Sequence, residues 1–174
     1  MTDRFAHHLR LDQIRDGERL DLAADEAERR SVAERLGLTG LDRLDAHVAL
    51  ARTGPVVRAE GRIVATLEQA CVITNEPVAS HVDEPFALLF MPEPDSSGPD
   101  EEVELGEEDC DTVFYDGSAI DLGSAIADTL ALSIDPYPRS ASADAALKEA
   151  GVLTEEQASP FAAIAALKGQ KPGD

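Results

Sequence analysis

The stretch DAHVALARTGPVVRAEGRIVATLE, residues 45–68, decides the fold. Ala46, Val48 and Leu50 alternate with Asp45, His47 and Ala49. After a turn at Thr53-Gly54-Pro55, Val57, Ala59, Gly61, Ile63, Ala65 and Leu67 alternate with Arg58, Glu60, Arg62, Val64, Thr66 and Glu68. Successive strand side chains point to opposite faces, so a period of two over this length predicts paired antiparallel strands with one buried face.

Working downstream, a corner at Asn75-Glu76-Pro77 leads into a third strand, Val78 to Val82. Past Pro85 it continues as Phe86 to Phe90, apolar on both sides and therefore central or covered. Thr112 to Tyr115 reads as a short strand ending at the Asp116-Gly117 turn. Asp121 is placed to cap a helix with the stripe Leu122, Ile126 and Leu130, flanked by Ala125 and Leu132, and Pro136 and Pro138 end it. A short Ala-rich helix at about 143–150 stops at Gly151. Ser159-Pro160 then opens a C-terminal helix with Phe161, Ile164 and Leu167 on one face. Upstream, Phe5, His7, Leu9 and Leu11 alternate as a first strand. Asp25 and Glu28 have the spacing of a capping box for a helix that carries Val32 and Leu36 on one face and stops at Gly37. The expected fold is α+β: an antiparallel β-sheet, strongly curled or barrel-like, covered by two or three helices. The expected organisation is one domain over residues 1–158, with a short helix and tail over 159–174.

Charge separates the candidate functions. The 174 residues carry 15 Lys+Arg against 35 Asp+Glu, a formal net charge of −20. Residues 1–62 are nearly neutral, with 11 Arg and 12 Asp+Glu, whereas 63–138 hold 18 acidic residues and no Lys or Arg. The densest run, EPDSSGPDEEVELGEEDCD at 93–111, includes Glu101, Glu102, Glu104, Glu107, Glu108 and Asp109. Mutual repulsion and a lack of apolar surface predict a mobile acidic loop inside the domain. It is either a solubilising insertion or a lure for a basic protein. The excess charge disfavours direct RNA contact and an anionic-membrane surface, both of which need cations to displace counterions. No apolar run reaches the roughly 18 residues of a membrane span, and MTDRFAHHLRLD lacks the apolar core of a secretory signal. The expected location is the cytoplasm.

Chemistry is sparse. The chain contains no GxGxxG, Walker loop, HExxH or GxSxG, and its acidic loop places no carboxylate pair in contrasting environments. His7 and His8 are strand neighbours that face opposite sides, and His47 sits on a polar strand face. Cys71 lies in the knuckle Cys71-Val-Ile-Thr74-Asn-Glu76-Pro77. A CxxC there would offer two thiolates to zinc, but position 74 is Thr. Cys71, His81 and Cys110 are the residues from which a metal site could be assembled. The expectation is that Cys71 is a small buried hydrophobe, with no catalytic residue, metal or cofactor.

Three segments in order, ACVITNEPVASHVDEPFALLFMPE, DGSAIDLGSAIADTLALSIDPYPR and SPFAAIAALK, resemble the bacterial YceD-type family of large ribosomal RNA subunit accumulation proteins. The likeness runs from about residue 41 to 168, with a weaker echo in RLDLAADEAERRSVAERLGL. Glu76 and Pro77 match the knuckle, and Asp121 and Leu122 the helix start. Many relatives carry CxxC, and some add cysteines after Pro-x-Pro. Here those positions read Cys71, Thr74 and Arg139-Ser140, so the resemblance transfers no metal site. It implies a cytoplasmic, non-enzymatic factor in large-subunit ribosomal RNA synthesis, processing or stability. Combined with the charge, it points to a basic ribosomal or assembly protein as partner, met by the acidic loop and the Phe161, Ile164 and Leu167 face. A direct RNA-binding module is the second reading, and a metal protein built on Cys71 the third.

Overall fold

In the computed structural model, which describes residues 5–93 and 111–152, the predicted hairpin is the spine of the molecule. Strands β3 (Gly40–Thr53) and β4 (Val56–Ala70) pair antiparallel. They are joined by the two-residue turn Gly54-Pro55, with Gly54 left-handed at φ 61°. A left-handed first turn residue suits the right-handed twist of the strands it joins. Ala46, Val48, Leu50, Val57, Ala59, Ile63, Ala65 and Leu67 are all buried, as the alternation requires. β3 starts earlier than its pattern suggests because the register shifts between Leu41 and Arg43. That bulge puts Leu41 and Leu44, three residues apart, into the same core.

The sheet has five strands in the order β2-β3-β4-β5-β6. β2 (Glu18–Ala23) pairs with β3, and β5 (Pro77–Pro92) pairs with β4 along its length. β5 passes straight through Pro85. β6 (Asp111–Tyr115) pairs with β5 only from Leu88 onward, so at Pro85 β5 is still an edge, where a sheet tolerates proline. Gly61 faces the core opposite Phe86. A Cβ at that position would stand 2.0 Å from the His47 carbonyl oxygen and 3.1 Å from the Phe86 ring.

Two expectations about the sheet are corrected. β6 runs parallel to β5, so the sheet is mixed, and it does not close into a barrel. A parallel return needs a crossover connection, and residues 93–110 supply it. The predicted first strand is also shorter. Only β1 (His8–Arg10) is extended, and Leu11–Gln13 turns into a 3₁₀ helix. β1 pairs with β7 (Ala119–Asp121) as a separate ribbon.

The first two helices cover the apolar sheet face. α1 (Glu26–Leu36) has the full capping box between Asp25 and Glu28, buries Val32 and ends at left-handed Gly37. α2 (Leu122–Ser133) buries Leu122, Ala125, Ile126 and Leu130, whereas Leu132, expected beside that stripe, points to solvent. Its start packs tightly against the N-terminal segment, since a Cβ on Gly123 would meet the Phe5 carbonyl oxygen at 2.6 Å. α3 (Ala143–Glu149) follows a short connection. Among the described residues no helix is long and apolar enough to cross a membrane. The expected C-terminal helix and the bulk of the acidic loop lie outside the described residues.

Candidate functional site

β4 ends at Ala70, and the chain turns back through Cys71 to Glu76 before β5 begins. Asn75, left-handed at φ 61°, makes the reversal. The turn is closed by Cys71 N–H donating to the Glu76 carbonyl at 2.8 Å and Asn75 N–H donating to the Cys71 carbonyl at 2.9 Å. The segment after α2 is fastened to this knuckle. Val72 N–H donates to the Pro138 carbonyl at 2.9 Å, and Gln69 Nε2 donates to the Asp135 carbonyl at 2.9 Å. Gln69 Oε1 is buried and has no hydrogen-bond partner among the described residues.

Three backbone N–H groups donate to Cys71 Sγ: Ile73 and Thr74 at 3.4 Å and Ser140 at 3.2 Å. The side chain is buried, as expected, but it is not an inert hydrophobe. Burial pushes the thiol up, and the hydrogen bonds from Ser140 and Thr74 together outweigh that and bring it down to about 6. At neutral pH the sulfur is therefore a thiolate held by backbone dipoles.

Beside it lies a ring of four oxygens. Thr74 Oγ1 donates to Glu76 Oε2 at 3.0 Å, and Ser142 Oγ donates to the same carboxylate oxygen. Ser140 Oγ lies 3.0 Å from both Thr74 Oγ1 and Ser142 Oγ. With Glu76 ionised, the three hydroxyls have three hydrogens for four contacts, so the Ser140 hydrogen serves either Thr74 or Ser142. The hydroxyls of Ser142, Ser140 and Thr74 hold the Glu76 carboxyl below its ordinary value. The sequence marked Cys71, Glu76 and Pro77. It did not reveal that Ser140 and Ser142, some 65 positions further on, complete the cluster, since only tertiary packing brings them there.

The other candidates are not gathered here. Strand parity puts Cys71 on the core face of β4 and Thr66 on the outer face. His81 is exposed and lies 3.4 Å from Thr66 Oγ1, so it stands on the face opposite Cys71. Among the described residues no three His, Cys, Asp or Glu side chains group as metal ligands. Cys110, Glu101, Glu102, Glu104, Glu107, Glu108, Asp109, Phe161, Ile164 and Leu167 lie outside the described residues.

Arg43, Arg58 and Arg62 of the hairpin stand on the outer face of the sheet, opposite its buried residues. Arg43 Nε donates to Asp45 Oδ2 at 2.6 Å, Arg58 pairs with Glu60, and Arg62 pairs with Asp83 across to β5. His47 lies 2.6 Å from Asp21. The cations are interleaved with carboxylates rather than clustered.

Comparison with known proteins gives one positive result. The family described as "Large ribosomal RNA subunit accumulation protein YceD" matches residues 59–168, from within β4 through the knuckle and α2 to the C-terminal segment. No curated protein and no solved structure matches. Because the match spans well over half of the chain, this protein belongs to the YceD family of large ribosomal RNA subunit accumulation proteins.

Proposed function

We propose that this protein is a cytoplasmic, non-enzymatic ribosome-biogenesis factor. It supports large-subunit ribosomal RNA through contact with a basic ribosomal or assembly protein. The family name carries the pathway. The pairing of Arg43, Arg58 and Arg62 with carboxylates on their own sheet face carries the preference for a protein partner. An RNA-tracking surface wants clustered cations whose charge is available to phosphates. With a net charge of −20, the long-range field attracts a basic protein and repels nucleic acid. The non-enzymatic reading is supported by Cys71. Its sulfur is buried away from any substrate, and the imidazole of His81 is on the opposite sheet face.

Affinity capture from nuclease-treated lysate tests the reading. Large-subunit proteins or assembly factors should stay bound after the RNA is digested. Release of every such partner by nuclease, together with salt-sensitive binding to a bare RNA helix, would overturn it in favour of direct RNA recognition.

A further inference from the structure

Among the described residues β2 forms one edge of the sheet. Ala24 N–H donates to the Leu44 carbonyl at 2.9 Å, and the β2–β3 register places those two residues opposite each other, next to Ala23 opposite Asp45. Along an antiparallel pair, residues that exchange hydrogen bonds alternate with residues that do not. The even-numbered residues of β2 therefore bond to β3, whereas Arg19, Asp21 and Ala23 aim their N–H and carbonyl groups outward. No turn, loop or side-chain hydrogen bond reaches those groups among the described residues. α1 leaves the edge open, because it packs on β3 and its Arg35 reaches Asp128 of α2. On the core face of β2, Leu20 and Leu22 remain only half-buried.

Charge on an edge strand ordinarily guards it against pairing. Here it has a pattern. Arg19 and Asp21 stand two residues apart on the outer face, both exposed. Among the described residues, Arg19 and Arg15 are the arginines whose guanidinium makes neither an ion pair nor a hydrogen bond. Asp21 meets His47 through Oδ1, which leaves Oδ2 open.

We infer that β2 pairs antiparallel with β2 of a second copy of this chain, joining two five-stranded sheets into one. With Leu20 on the two-fold axis, Arg19 of each copy lies opposite Asp21 of the other, so the complementary pair forms twice. The half-buried Leu20 then covers its own counterpart. The next register in one direction sets Arg19 against Arg19, and in the other Asp21 against Asp21, so charge selects a single alignment. A uniformly basic or uniformly acidic strand would meet one like charge on this edge, whereas the reversed order of an antiparallel copy meets none. The acidic excess of the molecule does not oppose the contact locally, since residues 1–62 hold 11 Arg against 12 Asp+Glu.

Sedimentation velocity of the full chain tests the inference, at about 0.15 M salt, where charges more than about 8 Å apart are largely screened. Wild type should form a dimer as concentration rises. Arg19→Asp and Asp21→Arg each set like charges opposite one another twice, so each should weaken dimerisation about tenfold or more. Mixing the two variants should restore it as a heterodimer, because the acidic pair of one edge then faces the basic pair of the other. The double variant Arg19→Asp with Asp21→Arg should also dimerise like wild type. Both positions are exposed, so an unchanged melting temperature shows that the variants remain folded. A wild-type chain that stays monomeric up to about 1 mM overturns the inference. So does a dimer that either charge reversal leaves intact, or one that neither the mixture nor the double variant restores. None of these outcomes bears on the proposed pathway, which capture from nuclease-treated lysate tests separately.

Discussion

Three backbone N–H groups converge on Cys71, two from its own turn and the third, Ser140, because residues 138–140 are stitched to the end of β4, and the bonds from Ser140 and Thr74 outweigh the burial that would keep the thiol protonated. In the unfolded chain the thiol returns to its ordinary value of about 8.5. The folded value is lower, so the folded state binds fewer protons between the two. The resulting stabilisation is complete above about pH 8.5 and is lost as the pH falls through about 6. In a Cys110→Ser background, ultraviolet thiolate absorbance should titrate near pH 6, and a midpoint near 8.5 would refute the cradle. Cys71→Ser keeps an acceptor but not the anion, so it should flatten the melting temperature across that window. Gly61 makes the opposite kind of demand, for space. Gly61→Ala would drive a Cβ into the His47 carbonyl, and forced overpacking of this kind costs about 1–3 kcal/mol. A denaturation midpoint equal to wild type would show that the hairpin can shift to accept it.

At the scale of elements, β6 explains the acidic segment. Strands joined in parallel cannot be linked by a tight turn, so β6 requires a long connection whatever its composition. Shortening 94–110 should therefore disturb β6 even if the charge is irrelevant. Replacing its eight acidic residues by Asn and Gln at constant length isolates the charge. That variant should keep its melting temperature and capture less basic partner, while undiminished capture would make the segment a connector only. β6 is also anchored from the side, since Tyr115 Oη donates to the Pro55 carbonyl in the β3–β4 turn. Tyr115→Phe removes that bond and should cost about 0.5–1.5 kcal/mol in chemical denaturation. An unchanged stability would mean that pairing with β5 alone holds the edge.

At the scale of the whole molecule, a net charge of −20 coexists with carboxylates that folding holds in their ionised form. Arg62 holds Asp83 below the ordinary carboxylate value, Arg10 does so for Asp12, and the hydroxyls around Glu76 do so there. At Asp121 burial pushes the other way, but the bonds from Ser124 prevail and its carboxyl is also lowered. Each depressed value contributes stability that is present above the ordinary carboxylate range of about 4 and lost as the pH falls through the lower folded values. The melting temperature should therefore drop below about pH 4, and a protein equally stable at pH 3 and 5 would contradict these pairings.

Much of this was legible in the chain. Residues 45–68 dictate a buried face because period-two alternation leaves only one way to hide the apolar side chains, and the Asp25–Glu28 box and Gly37 mark α1 by local hydrogen bonding alone. The alternation of Leu20 and Leu22 also marks β2 and could have been read, whereas the three residues of β7 are too short to show a period. What tertiary structure alone decided was the direction of β6 and the company of Cys71. Strand direction depends on where a connection returns, and the chemistry of a thiol depends on which donors distant packing turns toward it. Neither is written in the local periodicity from which a sequence is read.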